Sequence, residues 1–185
     1  SKGILHMLLA VFCFSFMNLL VKFLSHVPAH EVILFRSVVS FVMSFAYVRY
    51  NKISFFGNNK KILVMRGVFG VMALTMYFTT LQHIPLASAT TIQYLSPIFG
   101  TIAAFLLLKE SVHPFQWLLF LLAFAGAVLV KGFDPRVDLL YFLLGLGSAL
   151  FSGLAYTCVR VLKNTDHPYV IVMYFPMLAI PVMLI

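Results

Sequence analysis

The sequence predicts an all-α integral membrane protein, a polytopic helical bundle, on three observations. Apolar residues make up 62% of the 185 and charged residues 10%, with mean hydropathy +1.02. A soluble domain is about 45–50% apolar and about 25% charged. The apolar residues fall in seven runs, each about the 20 residues a helix needs to cross a hydrocarbon core about 30 Å thick. The basic residues, which bring the net charge to +8, sit at the ends of those runs, as in membrane proteins. They do not interleave with aromatics on a polar face, so nucleic acid is excluded as a partner. A buried soluble helix would account for one such run. A β-barrel would show alternating strands of about ten residues, and these runs do not alternate.

The first span is placed at 3–25. Its apolar run continues to Leu24 without a small-residue cleavage site, so it reads as a membrane helix and not as a signal peptide. The second covers 30–50. The segment 51–61 (NKISFFGNNKK) is the one extended loop, and with flanking Arg49 and Arg66 it carries five basic residues and no acid. By the positive-inside rule that loop, and hence the N-terminus, is expected to be cytoplasmic. Spans at 62–83, 86–108, 114–131, 138–162 and 168–185 follow. Lys2, Lys109, Arg160 and Lys163 then also fall inside, leaving Lys22, Arg36, Lys131 and Arg136. Tyr47, Tyr50, Trp117 and Tyr169 lie at the inner interface, where amphipathic rings prefer to sit.

Spans one and two overlay spans six and seven at an offset of 138, with Leu5 on Leu143, Val21 on Val159, Lys22 on Arg160, and Val32-Ile33 on Val170-Ile171. Five spans separate the copies, and an odd unit inverts its second copy in the membrane, as in many secondary transporters. The expected division is a five-helix unit over 3–131 and the start of an inverted copy over 138–185. Ten helices are expected for the full protein. The chain starts without Met and stops inside an apolar run at Ile185, so a fragment is expected.

The segment RGVFGVMALTMYFTTLQHIPLASATTIQYLSPIFGTIAAFLLLKE (66–110) resembles the third and fourth helices of the EamA-type drug/metabolite transporter superfamily. The likeness rests on Arg66-Gly67 opening a span, Tyr77 in its middle, Pro85-Leu86-Ala87 at a tight turn, Pro97 in the next span and a Leu-rich end closing on Glu110. Asn18, Lys22 and the Phe35-Arg36 pair extend it over the first two spans. The resemblance implies a ten-helix, two-repeat transporter of amino acids, nucleotide-like metabolites or drugs in the bacterial inner (plasma) membrane. No cofactor is implied.

Polar groups inside spans are costly and usually face the bundle interior. In the fourth span Thr90, Tyr94, Pro97 and Thr101 follow i, i+4, i+7, i+11 spacing and share a face, with Gln93 beside them. Pro97 is expected to kink the span and free a carbonyl, so these residues are candidates for a substrate cavity; threonines bonding back to their own helix are the plain alternative. Tyr77 and Tyr156 are too deep for an interfacial belt and are further candidates, or packed tyrosines bonded to carbonyls. Arg36, two turns inside its span, either pairs with Glu31 or binds an anionic substrate group. Asn18 is expected to point inward. Lys22 and Arg160, equivalent in the repeat, are candidate gates, with snorkelling to the interface the alternative. Gly67, Gly70 and the stretch from Gly145 to Gly153 read as close-packing positions.

No carboxylate lies mid-span, the six histidines flank loops or span ends, and Cys13 and Cys158 lack ligand spacing, so neither a metal nor a catalytic constellation is expected. An enzyme is disfavoured. The expected function is secondary transport of a small organic metabolite by alternating access; the alternative is a non-transporting membrane scaffold. The expected partners are the lipid bilayer and a small-molecule substrate, with a homodimer left open.

Overall fold

The computed structural model describes residues 2–184, with side chains for all of these except Lys2, Val130, Lys131 and Phe133. Lys2 and Lys131 of the charge distribution, and Ile185 of the last span, therefore lie outside the described side chains and residues. The described residues form helices α1 (Lys2–Phe23), α2 (Ala29–Tyr50), α3 (Lys60–His83), α4 (Leu86–Gln93), α5 (Ser96–Leu108), α6 (Pro114–Phe133), α7 (Leu139–Leu162) and α8 (Pro168–Met183). The protein is an all-α polytopic membrane protein. Each expected span appears, with starts and ends within two residues of their expected places.

Proline does much of the delimiting. Pro28 and Pro85 stand just before α2 and α4, and Pro114 and Pro168 open α6 and α8. At a helix start the missing N–H costs nothing, because that donor would be unsatisfied anyway. Asp138 caps α7 by accepting a hydrogen bond from the Leu139 amide at 2.8 Å. Lys109, at φ +54°, closes α5 in the left-handed conformation.

The fourth span departs from expectation. It is not one kinked helix but two, α4 and α5, parted at Tyr94 and Leu95. Pro97 stands in the first turn of α5, where its missing donor breaks no intrahelical bond. Both break residues keep right-handed backbone angles, so 86–108 still runs as a single crossing. With that pair taken together, five crossings among the described residues are long and apolar enough for a membrane; the apolar stretches Pro114–Leu129 and Pro168–Met183 are shorter.

α3 is the centre of the bundle. It buries Leu63, Val71, Phe78 and Leu81 and packs along α7, with α8 on its other side. α2 lies on α8, and α5 on α7. Small residues permit these contacts. A Cβ added to Gly153 would stand 2.6 Å from the Gly100 nitrogen, so the α5–α7 crossing requires glycine there. A Cβ on Gly70 would meet the Phe175 ring at 2.9 Å. α1 is peripheral: Leu8, Phe12 and Phe16 are exposed, as befits side chains that lipid would cover.

Polar ties gather at the two ends. At the end bearing the 51–59 loop, Asp166 accepts from the Asn58 and Asn59 amides and from Thr165 Oγ1, and the Tyr174 hydroxyl donates to the Phe56 carbonyl at 2.9 Å. Gly57, at φ +58°, makes the turn that aims those amides. Arg160 pairs with Glu110 at 2.9 Å at the same end. At the opposite end Lys22 Nζ donates to the carbonyls of Gln82 (3.1 Å) and Ile84 (2.7 Å), which lie where α3 stops.

Candidate functional site

Between these ends the described residues line an open cavity of about 360 Å³. Its floor is apolar, from Phe14, Met17, Ala73 and Leu74. Its polar groups arrive one or two per helix: Asn18 from α1, Arg36 from α2, Arg66 and Tyr77 from α3, Gln93 from α4, and Ser152 and Tyr156 from α7. Phe175 of α8 completes the wall.

Gln93 is the best-anchored of these. The break after it ends α4 against α7, where Ser148 and Ser152 are one turn apart. Gln93 Nε2 donates to Ser152 Oγ at 2.9 Å. Ser148 Oγ lies 3.0 Å from Gln93 Oε1 and 2.9 Å from the Ala73 carbonyl, so its single proton serves one of two acceptors. The amide is fixed by its oxygen and one N–H. A carboxamide carries two N–H donors, and the bond to Ser152 uses one of them.

Arg66 was expected among the loop charges. It is instead the seventh residue of α3, and it lines the cavity. Its Nε and Nη1 are buried without a hydrogen-bond partner. Its guanidinium carbon lies 5.6 Å from the centre of the Phe175 ring, and that of Arg36 lies 5.8 Å from the same ring. The expected alternative pairing of Arg36 with Glu31 does not form: the ion pairs among the described residues are Arg136–Asp134 and Arg160–Glu110. Asn18 Oδ1 is likewise buried and unpartnered. Tyr77 is buried beside it, and Tyr156 lines the cavity while 59% exposed.

Of the candidate binding residues, the structure thus brings Asn18, Arg36, Tyr77, Gln93 and Tyr156 to one cavity. Thr90, Tyr94 and Pro97 lie elsewhere. Tyr94 is 77% exposed and Pro97 is exposed. Thr90 bonds back to the Leu86 carbonyl at 2.9 Å, and Thr101 to that of Pro97 at 2.9 Å, the plain alternative for such threonines. Of that fourth-span group, Gln93 alone lines the cavity. Lys22 and Arg160 stand outside the cavity, each tied at a bundle end.

Arg66, Ser152 and Phe175 were not among the candidates. A signal for Arg66 existed: the expected span began at 62, which already placed it inside. Nothing local distinguishes Phe175 from the other phenylalanines. No group of three His, Cys, Asp or Glu among the described residues could hold a metal ion.

Residues 1–132 match the EamA-like transporter family. The chain is 35% identical over 189 residues to the pseudopaline exporter of Pseudomonas aeruginosa, covering 99% of this chain and 66% of that protein. It is 33% identical over 130 residues to solute carrier family 35 member G1 of Homo sapiens, covering 69% of this chain and 36% of that one. The riboflavin transporter of Vibrio cholerae is 26% identical over 188 residues, covering 97% of this chain and 62% of the relative. The chain therefore spans slightly under two thirds of the length of the bacterial relatives.

Proposed function

Because the chain belongs to the EamA-like transporter family, we propose that its cavity is the substrate site of a secondary transporter for a small organic metabolite, working by alternating access. The family and the named relatives are transporters rather than enzymes. The observation that carries the reading is the cavity itself. Unpartnered polar atoms of Asn18 and Arg66 face one space in a bundle whose other polar side chains are largely satisfied. Such groups are costly in a membrane unless water or a ligand meets them.

The repeat reading fits this placement. Asn18 and Tyr156, 138 positions apart and so equivalent under the repeat, both line the cavity. A site between a five-helix unit over 3–131 and its inverted copy from 138 can open to either side by related motions. The break in the fourth span, next to Gln93, is where a discontinuous helix would meet substrate. The basic residues Arg49, Lys52, Lys60, Lys61 and Lys163 at the loop end support a cytoplasmic location for that end and an N-terminus on the same side, in a bacterial inner membrane.

The test is flux into proteoliposomes carrying the full-length protein, over a broad metabolite panel. Saturable uptake that is lost in Gln93→Ala supports transport. An absence of saturable flux for every solute, from protein that inserts and stays folded, sinks it in favour of a scaffold.

A further inference from the structure

Among the described residues two arginines line one cavity, and no carboxylate lines it with them. Arg36 is two turns into α2, which starts at one end of the bundle, and Arg66 is two turns into α3, which starts at the other. At 1.5 Å per residue each lies about 10 Å inside its helix start, so they approach the middle from opposite sides. Both guanidiniums approach the Phe175 ring, their central carbons 5.8 and 5.6 Å from its centre. Gly70 makes the arrangement possible, because a Cβ there would stand 3.0 Å from Arg66 Nη1 and 2.9 Å from Phe175.

A charged arginine inside a membrane span is costly. A cation–π contact offsets only part of that cost, and here one ring serves two cations, which also repel each other. Arg66 Nε and Nη1, donors on two different edges of the guanidinium, have no hydrogen-bond partner among the described residues. Water can enter the cavity and hydrate the pair in part. An oxyanion would pair with both cations and remove their repulsion.

We propose that this cavity recognises an organic oxyanion, carboxylate or phosphate, held jointly by the Arg36 and Arg66 guanidiniums over Phe175. The remaining lining sets the rest of the ligand. The spare N–H of Gln93 donates to a ligand oxygen. The unpartnered Asn18 Oδ1 accepts from a ligand amine, amide or hydroxyl. The aromatic faces of Tyr77 and Tyr156 and the apolar floor take a short carbon skeleton. The substrate class is thus a hydroxylated or amino-substituted organic acid of net negative charge; a cation of the same size would meet two positive charges and, among the described residues, no acid. The inference rests on the transport reading for its physiological meaning, but binding tests it separately.

The experiment is equilibrium binding to the full-length protein in lipid nanodiscs, alongside flux in proteoliposomes. The probes are di- and tricarboxylates, acidic amino-acid conjugates and phosphate monoesters. Each is paired with its neutral amide or dephosphorylated form and with a size-matched diamine. Expected is binding of acids in preference to their neutral partners, with none of the diamines. Arg66→Gln and Arg36→Gln should each weaken it by at least about tenfold. Arg66→Lys should recover part of the loss, because it keeps the charge but not the fork. Whether carboxylates or phosphate esters bind more tightly distinguishes the two oxyanions. Binding that ignores ligand charge in the unmodified protein overturns the proposal even if both arginine variants fail to fold. So does an absence of binding by every acid up to millimolar concentration, or full affinity in a folded Arg66→Gln protein. Saturable flux of neutral or cationic solutes, unchanged in that variant, overturns it and leaves the transport reading standing. Charge-selective binding without flux of any solute does the reverse.

Discussion

Gln93, the last residue of α4, reaches across to α7 and donates to Ser152 Oγ at 2.9 Å, while its own oxygen faces Ser148 Oγ at 3.0 Å. One side chain thereby fastens the broken fourth span to the central helix pair and presents an N–H to the cavity. Gln93→Leu should cost about 1–3 kcal/mol of stability, since it leaves Ser148 or Ser152 without its partner. Thermal unfolding in detergent measures that. Gln93→Glu should be worse for flux than for folding. Its carboxylate would occupy the anion-seeking field of Arg36 and Arg66, and substrate KM should rise more than melting temperature falls.

The contact of Gly100 with Gly153 predicts a purely steric failure. Gly153→Ala places a methyl 2.6 Å from a backbone nitrogen that cannot yield without moving α5. Overpacking of this kind costs about 1–3 kcal/mol. Gly126→Ala, where a Cβ would meet nothing within 4 Å, is the control and should leave the melting temperature unchanged.

Asp166 should make the loop end sensitive to acid. Its burial by itself would raise the carboxyl, but the Thr165 hydroxyl and the Asn58 and Asn59 amides outweigh that and hold it below the usual carboxylate range. A group depressed in the folded state stabilises fully above its unfolded pKa, about 3.9 for Asp. That contribution is lost as pH falls through the lower folded value. Melting temperature should therefore drop on acidification below about pH 4, and Asp166→Asn should lower it at neutral pH and flatten the drop. Hydrogen exchange at the Asn58 amide should report the same opening.

Lys22 and Arg160 should separate by burial and not by their equivalence in the repeat. Lys22 Nζ holds two carbonyls at the end of α3, so Lys22→Met should cost about 1–2 kcal/mol. The Arg160–Glu110 pair is more open, with side chains 54% and 39% exposed. Arg160→Gln should cost at most about 1 kcal/mol, and less at high salt. Unfolding of the two variants at low and high ionic strength gives the comparison. A large loss of flux in Arg160→Gln with unchanged stability would instead restore the gate reading.

Much of the fold was legible from the chain because lipid imposes it residue by residue. The positions of α1, α2, α3 and α7 follow from apolar length alone, and Pro28, Pro85, Pro114 and Pro168 mark starts that no tertiary contact is needed to explain. The site was legible only in part. Asn18, Arg36, Tyr77, Gln93 and Tyr156 stood out because each is polar inside an apolar run. Tyr94 stood out for the same reason, and Pro97 for its missing donor, yet neither lines the cavity. Phe175 could not stand out, since its role is a matter of what lies over its ring.

The sequence by itself determined that this protein is a bundle of membrane helices, where its spans begin and end apart from the break inside the fourth, and that its acids stay near their ends. These are local properties, set by transfer of short segments between water and lipid. Only the tertiary structure decided which polar residues share a cavity. It placed Arg66 beside Arg36 in the cavity lining and turned Gln93 to Ser148 and Ser152 of α7. Membership in the cavity depends on how each helix is rotated about its own axis and how closely small residues such as Gly70 and Gly153 let neighbours approach. Hydropathy along the chain is blind to rotation, and only packing against another helix sets it.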